Sequence, residues 1–257
     1  MGVLQPRAKH DVVQGPTMLR IFFVNVLLAA ASATILLRDD FSTDGNLAGT
    51  TPDVGAVGGV WSQQSATTTG RIVVSQGAIT VSSALTEDLN SAFTAAQTTG
   101  TVYAGMDLNY PTPSPTTGTT VTYFTMFANG IATTTSFVCR VFPTGQTNTS
   151  YKLGLSTSGS TPDPTTTAEY PYGTTIRLVY SYNVGATSKT CQLWVNPTSE
   201  TPSLLTTSGS TQSSINRISF RQATAAPPWT LSIRNLIVAT TFAEVCPPPP
   251  PPPSRPR

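Results

Sequence analysis

Thr101–Tyr110 reads TVYAGMDLNY, and the fold turns on how its side chains alternate. In an extended chain Val102, Ala104, Met106 and Leu108 share one face and Asp107 lies on the other, which is the two-residue period of a half-buried strand. The same period returns in RLVYSYNV, Arg177–Val184, where Tyr180 and Tyr182 join Ile176 and Leu178 on a core face. In CQLWVNPTSE, Cys191–Glu200, it sets Cys191, Leu193 and Val195 against Gln192, Trp194 and Asn196, and Asn-Pro ends the strand. The first set is the better core face. Trp194 therefore lies on the sheet's other side, either covered by a loop or open to a ligand.

Further strand-like runs are ILLRDDF, at an edge, then RIVVS, AITVSS, VTYFTMFA, SFVCRVF, YKLGLS, NRISFRQ and TLSIRNLIVAT. Turn chemistry separates them, in clusters such as PTPSPTTG, SGSTPDPTTT and NPTSETPS. STDGNLAGTTPDVGAVGGVW reads as a long glycine-rich loop ending at Trp61. The pentapeptide TSGST, at 157–161 and again at 207–211, reads as loop composition, because the strands around the two copies do not match. No segment keeps a helical period. About ten strands without intervening helices must pair antiparallel, which predicts an all-β, two-sheet antiparallel jelly-roll sandwich.

Composition agrees. Of 257 residues 39% are hydrophobic and only 10% charged, with threonine, serine, glycine and 22 prolines in place of charge. Those residues favour strands and turns over helix interiors.

From Met18 the chain reads MLRIFFVNVLLAAASA: one positive charge, an apolar run, then Ala31-Ser32-Ala33, whose small side chains suit signal peptidase. Residues 1–33 are thus expected to be a signal peptide, with Met18 a candidate true start. The alternative is a signal anchor, since apolar character continues to Leu37. Removal of this leader leaves 11 basic against 11 acidic residues and no histidine. Neutrality without a basic stripe argues against nucleic acid as a partner. Lack of histidine excludes Ser-His-Asp and Cys-His nucleophiles, and imidazole-dependent zinc or copper sites.

Three cysteines allow at most one internal bridge. Cys139 and Cys191 lie in strand-like runs and can pair only if those strands approach; the other reading leaves all three unpaired. Cys246 precedes the proline run and is placed for an intermolecular disulfide with another chain. The end, CPPPPPPPSRPR, is a polyproline II rod of about 3.1 Å per residue. Pro250–Arg255 also fits an SH3-ligand pattern, which a secreted chain would not use. The organisation is therefore leader 1–33, sandwich 34–245 and proline-rich tail 246–257.

The succession LLRDDFSTDGNLAGT, TEDLNSAF, TVYAGMDLNY, FVCRVFP, YKLGLS, CQLWVNPTSE, ISFRQ and NLIVATTFAEV resembles the secreted concanavalin A-like, laminin-G-like jelly-roll domains of exported bacterial surface proteins. The likeness spans Leu36–Val245. It implies a two-sheet sandwich in a superfamily that contains lectins, glycan-binding modules and glycosidases, so fold alone does not choose among them. Laminin-G-like relatives often bind calcium. The E-x-D-x-x-E motif common among the superfamily's glycosidases is absent here.

Candidate chemistry is sparse. Glu87 and Asp88 are adjacent, so a strand would point them to opposite faces. Asp107 is the most interesting single acid, against a plainer reading as solvated or arginine-paired. Arg140, Lys152, Arg177 and Arg221 sit among apolar residues; on one face with Asp107 they would form a polar surface for sugar hydroxyls or carboxylates. Tyr170 and Tyr172 flank Pro171 in an apparent loop, where exposure would suit ring stacking. Asp39, Asp40 and Asp44 beside a glycine turn offer oxygen ligands for calcium, although such turns often cap their own backbone. Asn148 heads an Asn-Thr-Ser sequon.

The sum is a secreted or cell-surface, non-catalytic module with a candidate carbohydrate face and a glycan, wall or matrix polymer as partner. No cofactor other than calcium is implied. The alternative is a carboxylate-dependent glycoside hydrolase or polysaccharide lyase.

Overall fold

The structure, a computed structural model, describes residues 34–65, 70–112, 121–130, 137–226 and 228–246. The leader through Ala33 and the proline run from Pro247 lie outside the described residues.

In chain order the strands are β1 (Ile35–Asp39), β2 (Gly45–Asn46), β3 (Ser62–Ser65), β4 (Val73–Ser75), β5 (Ala78–Ser82), β6 (Asp88–Gln97), β7 (Thr101–Asn109) and β8 (Thr125–Ala128). There follow β9 (Phe137–Thr144), β10 (Ser150–Ser156), β11 (Tyr170–Pro171), β12 (Thr175–Asn183), β13 (Lys189–Val195), β14 (Leu205–Ser210), β15 (Ile215–Arg221) and β16 (Thr230–Ala239). One helical turn, α1 (Phe242–Val245), closes the fold. The larger sheet runs β14-β13-β12-β7-β16-β5-β4-β2, with β1 paired to the second half of β16. The smaller runs β11-β10-β9-β8-β15-β6-β3. Every ladder is antiparallel, giving the expected two-sheet jelly-roll sandwich.

The core lies between the sheets and follows the alternation. Val102, Ala104, Met106 and Leu108 of β7 face it, as do Ile176, Leu178, Tyr180 and Tyr182 of β12. Trp61, at the end of the glycine-rich loop, stacks on Phe220 with ring centroids 5.4 Å apart. Cys139 of β9 and Cys191 of β13 are disulfide-bonded, their Cα atoms 5.5 Å apart, so the bridge ties one sheet to the other.

Several elements differ from expectation. DLNSAFTAAQ forms β6, a ten-residue strand held between β15 and β3, although its polar content hid it. The second TSGST copy is not all loop, since its first four residues close the edge strand β14. Phe242–Val245, where the sequence shows no helical period, forms the short α1.

Candidate functional site

Asp107 sits on the outer face of β7, directly opposite Arg177 of β12 on one side and Arg234 of β16 on the other. Arg177 Nη1 donates to Asp107 Oδ1 at 3.0 Å and to the Asn235 carbonyl, also at 3.0 Å. Its Nε and Nη2 donate to the Val245 carbonyl at 3.1 and 2.7 Å, fastening the end of α1 to the sheet. The second carboxylate oxygen of Asp107 accepts from Asn235 Nδ2. Both oxygens of Asp107 are therefore engaged, and the arginine-paired reading of this acid is the one observed.

A bulge brings Asn235 there. The ladder between β16 and β7 shifts register between Arg234 and Ile237, and Asn235 takes φ 50°, a left-handed conformation that asparagine tolerates better than most residues. Arg234 and Asn235 are in consequence both exposed, before Leu236 returns to the core. Beside them an open cleft of about 630 Å³ is lined by Arg38, Asp40, Asp107, Arg177, Asn196, Pro197, Thr198, Asn235, Ile237 and Cys246. A second hollow of about 620 Å³ shares Asp107 and Asn235 with it and adds Asn109, Pro111, Thr175, Ser232 and Arg234. Asn196, at φ 48°, accepts from the Arg177 backbone N–H through its side chain at 2.7 Å and fixes the cleft's far wall.

Trp194 is on the outer face, as alternation requires, but it is no open platform: only 3% of it is exposed. Phe242 of α1 meets its ring at 5.3 Å and Tyr103 at 6.3 Å. Its indole N–H donates to the Glu200 carbonyl at 2.6 Å, so the 196–204 loop and α1 together roof it. The Tyr103 hydroxyl donates to the Glu200 carboxylate, and burial first, then Glu200, pushes its pKa up.

The candidate common face of basic residues does not form, and a plainer reading of scattered charges fits better. Arg177 belongs to the larger sheet with Asp107, whereas Arg140, Lys152 and Arg221 belong to the smaller one. Alternation within strands cannot report which sheet a strand joins. There, Arg140 and Arg221 both stack on Tyr123, at 4.8 and 4.4 Å, Arg221 approaches Asp88 at 3.7 Å, and burial pulls the Arg140 pKa down. Lys152 makes a solvent-exposed pair with Glu169 at 3.8 Å. Tyr170 and Tyr172 are not exposed loop rings either. They are half-buried and packed on Tyr151, with Tyr172 also edge-on to Tyr110 at 4.7 Å.

The aspartates proposed for calcium do not converge. Asp39 is buried and accepts from Trp61 Nε1 and the Phe41 N–H, each at 2.7 Å, while Asp44 accepts from the Gln76 N–H. Asp40 projects toward the cleft. Among the described residues no three His, Cys, Asp or Glu side chains are grouped to hold a metal ion. Glu87 and Asp88 diverge as predicted: Glu87 is buried against Arg71 and the Ile72 N–H, Asp88 against Arg221 and the Gln222 N–H. Asn148 is exposed in a turn. Cys246 is a free thiol donating to the Pro197 carbonyl at 3.0 Å.

Sequence reasoning missed Arg38, Arg234, Asn235 and Asn196. The signal for two of them was present: in TLSIRNLIVAT the apolar positions run 231, 233, then 236, 238, and that slip of phase marks a bulge.

The geometry defines a β-sandwich module with an open cleft of mixed polar and apolar lining on the outer face of one sheet. No protein-family model matches the sequence, and no curated protein is significantly similar to it. Among solved structures, the winged bean acidic lectin complexed with methyl-α-D-galactose is similar at a TM-score of 0.46 and 11% identity, over 81% of this chain and 98% of that one. The metal-free carbohydrate recognition domain of Emp46p gives 0.44 at 9% identity, over 79% and 98%. An alginate lyase from Corynebacterium sp. gives 0.39 at 14%, over 59% and 67%. These are likenesses of strand arrangement only.

Proposed function

We propose that this chain is a secreted or cell-surface, non-catalytic β-sandwich module that binds carbohydrate along the outer face of its larger sheet. The supporting observation is the cleft itself: amide, hydroxyl and guanidinium groups stand among the apolar surfaces of Pro197 and Ile237 in a broad, open hollow whose floor is held by the Asp107–Arg177–Asn235 cluster. Sugar hydroxyls pair with such groups, and a pre-set floor lowers the entropy lost on binding. The arrangement of the cleft's acids supports the non-catalytic reading. Glycoside hydrolysis commonly uses a pair of carboxylates flanking the bond, and here Asp107 is committed to Arg177 and Asn235.

An internal disulfide supports an oxidising compartment, and Cys246 provides the thiol for attachment to another chain. A glycan array probed with the full chain, with and without calcium, tests the reading. Binding to a defined glycan class, weakened by Asn235→Ala and insensitive to chelation, is the expected result. Silence across the array, or release of new sugar ends from a bound glycan, would count against it.

A further inference from the structure

Nearly every basic side chain in the described residues is spoken for. Arg71, Lys152, Arg177 and Arg221 stand in ion pairs, Arg217 donates to Asn90, Lys189 to two backbone carbonyls and Arg140 to the Gly159 carbonyl. Arg38 and Arg234 make neither an ion pair nor a side-chain hydrogen bond, and both are exposed. Arg38 borders one and Arg234 the other of two hollows that share Asp107 and Asn235, so both lie along one grooved stretch of the sheet's outer face. Asp107 is already paired with Arg177, so it balances one guanidinium and leaves the other two. Asp40 is the remaining carboxylate in the groove, which leaves three guanidiniums against two carboxylates. Strand alternation already turns Arg234 outward, opposite Asp107, and the β16 bulge sets Asn235 beside it on the same face.

We propose that this groove binds an acidic polysaccharide, with its carboxylates or sulfates taken by Arg38 and Arg234 and its neutral hydroxyls by Asn235, Asn196 and Thr198. The proposal rests on the carbohydrate reading above and narrows it to anionic glycans. The guanidinium fork matches a carboxylate or sulfate with two parallel hydrogen bonds. One exposed arginine contributes little, but two on a single polymer act together.

The full chain is titrated with an oligogalacturonate, with the same oligomer after reduction of its carboxyls, with a sulfated galactan oligomer and with polyglutamate. The uronate or the sulfated oligomer is expected to bind about tenfold more tightly than the reduced one, and the preference to shrink as salt rises. Arg38→Gln with Arg234→Gln should abolish the preference without moving the thermal midpoint, since neither side chain has a partner to lose. Lys152→Gln, which removes the same charge from the other sheet, should leave it intact. Equal affinity for charged and reduced oligomers would overturn this proposal while sparing the carbohydrate reading. Polyglutamate matching the acidic glycans would overturn it as well, by reducing the effect to charge. No binding to any sugar would remove both.

Discussion

Gly105 shows how much of the site depends on one missing atom. A Cβ there would lie 2.5 Å from the Val245 carbonyl oxygen and 2.8 Å from Arg177 Nη2, so any side chain would lift α1 and part the contacts that hold it. Gly105→Ala should cost about 1–3 kcal/mol in chemical denaturation, the usual range for overpacking against backbone. Asp39 carries a second, pH-linked effect. Its pKa is raised above 3.8, by burial first and with Asp53 and Asp40 adding, against hydrogen bonds from Trp61 and Phe41. A carboxyl raised on folding holds its proton more firmly in the native state, so its contribution is fully present below pH 3.8 and declines as pH rises through the native value. Asp39→Asn should flatten that part of the stability profile. At neutral pH the same variant should lose about 1–3 kcal/mol, because an amide offers one acceptor oxygen to two donors. A profile unchanged in slope would refute the assignment.

At the scale of elements, α1 is a lid on an aromatic pair rather than a free end. Phe242 stands edge-on to Trp194 and Tyr103, at 5.3 and 5.9 Å, and Val245 is fully buried beneath. Phe242→Ala should open Trp194 to solvent at a cost of about 1–3 kcal/mol, less than for a wholly enclosed phenylalanine. Since Trp61, Trp194 and Trp229 are all buried, iodide quenching should rise from a low baseline in a single emitting class. Unchanged quenching would mean that the 196–204 loop alone suffices as a roof. Element by element, the strands legible in the sequence were those whose inner face is uniformly apolar, such as Val102 to Leu108. The strand β6 was not, because Ser91 occupies an inner position between Leu89 and Phe93 while Asn90 is buried on the outer face. Its extended form is imposed by ladders on both sides, which is tertiary context and not local preference. The two TSGST copies make the same point. One follows β10 as a loop, and the other is pulled into β14 by pairing with β13.

For the whole molecule, the two sheets and their core followed from alternation, but the site did not, since it depends on which strands become neighbours. Arg177 met Asp107 and Arg221 met Asp88 on opposite sheets, a division that no spacing in the chain encodes. The same limit applied to the cysteines: their strands could be read, their meeting could not. The Cys139–Cys191 bridge closes a separation of 52 residues across the core and joins strands that share no ladder. On the chain-entropy account a loop of that size is worth about 4 kcal/mol, and measured bridges commonly deliver about 2–4. Cys139→Ala with Cys191→Ala should therefore lower Tm by roughly 5–15 °C for a domain of this size. Titration of the denatured, unreduced monomer should find a single thiol, that of Cys246. Three reactive thiols, or a double variant that melts with the parent, would mean that hydrophobic packing alone holds the sheets together. The lowered Tm with one free thiol would instead make the bridge a major contributor to stability, and would favour an oxidising compartment in which such a bond persists.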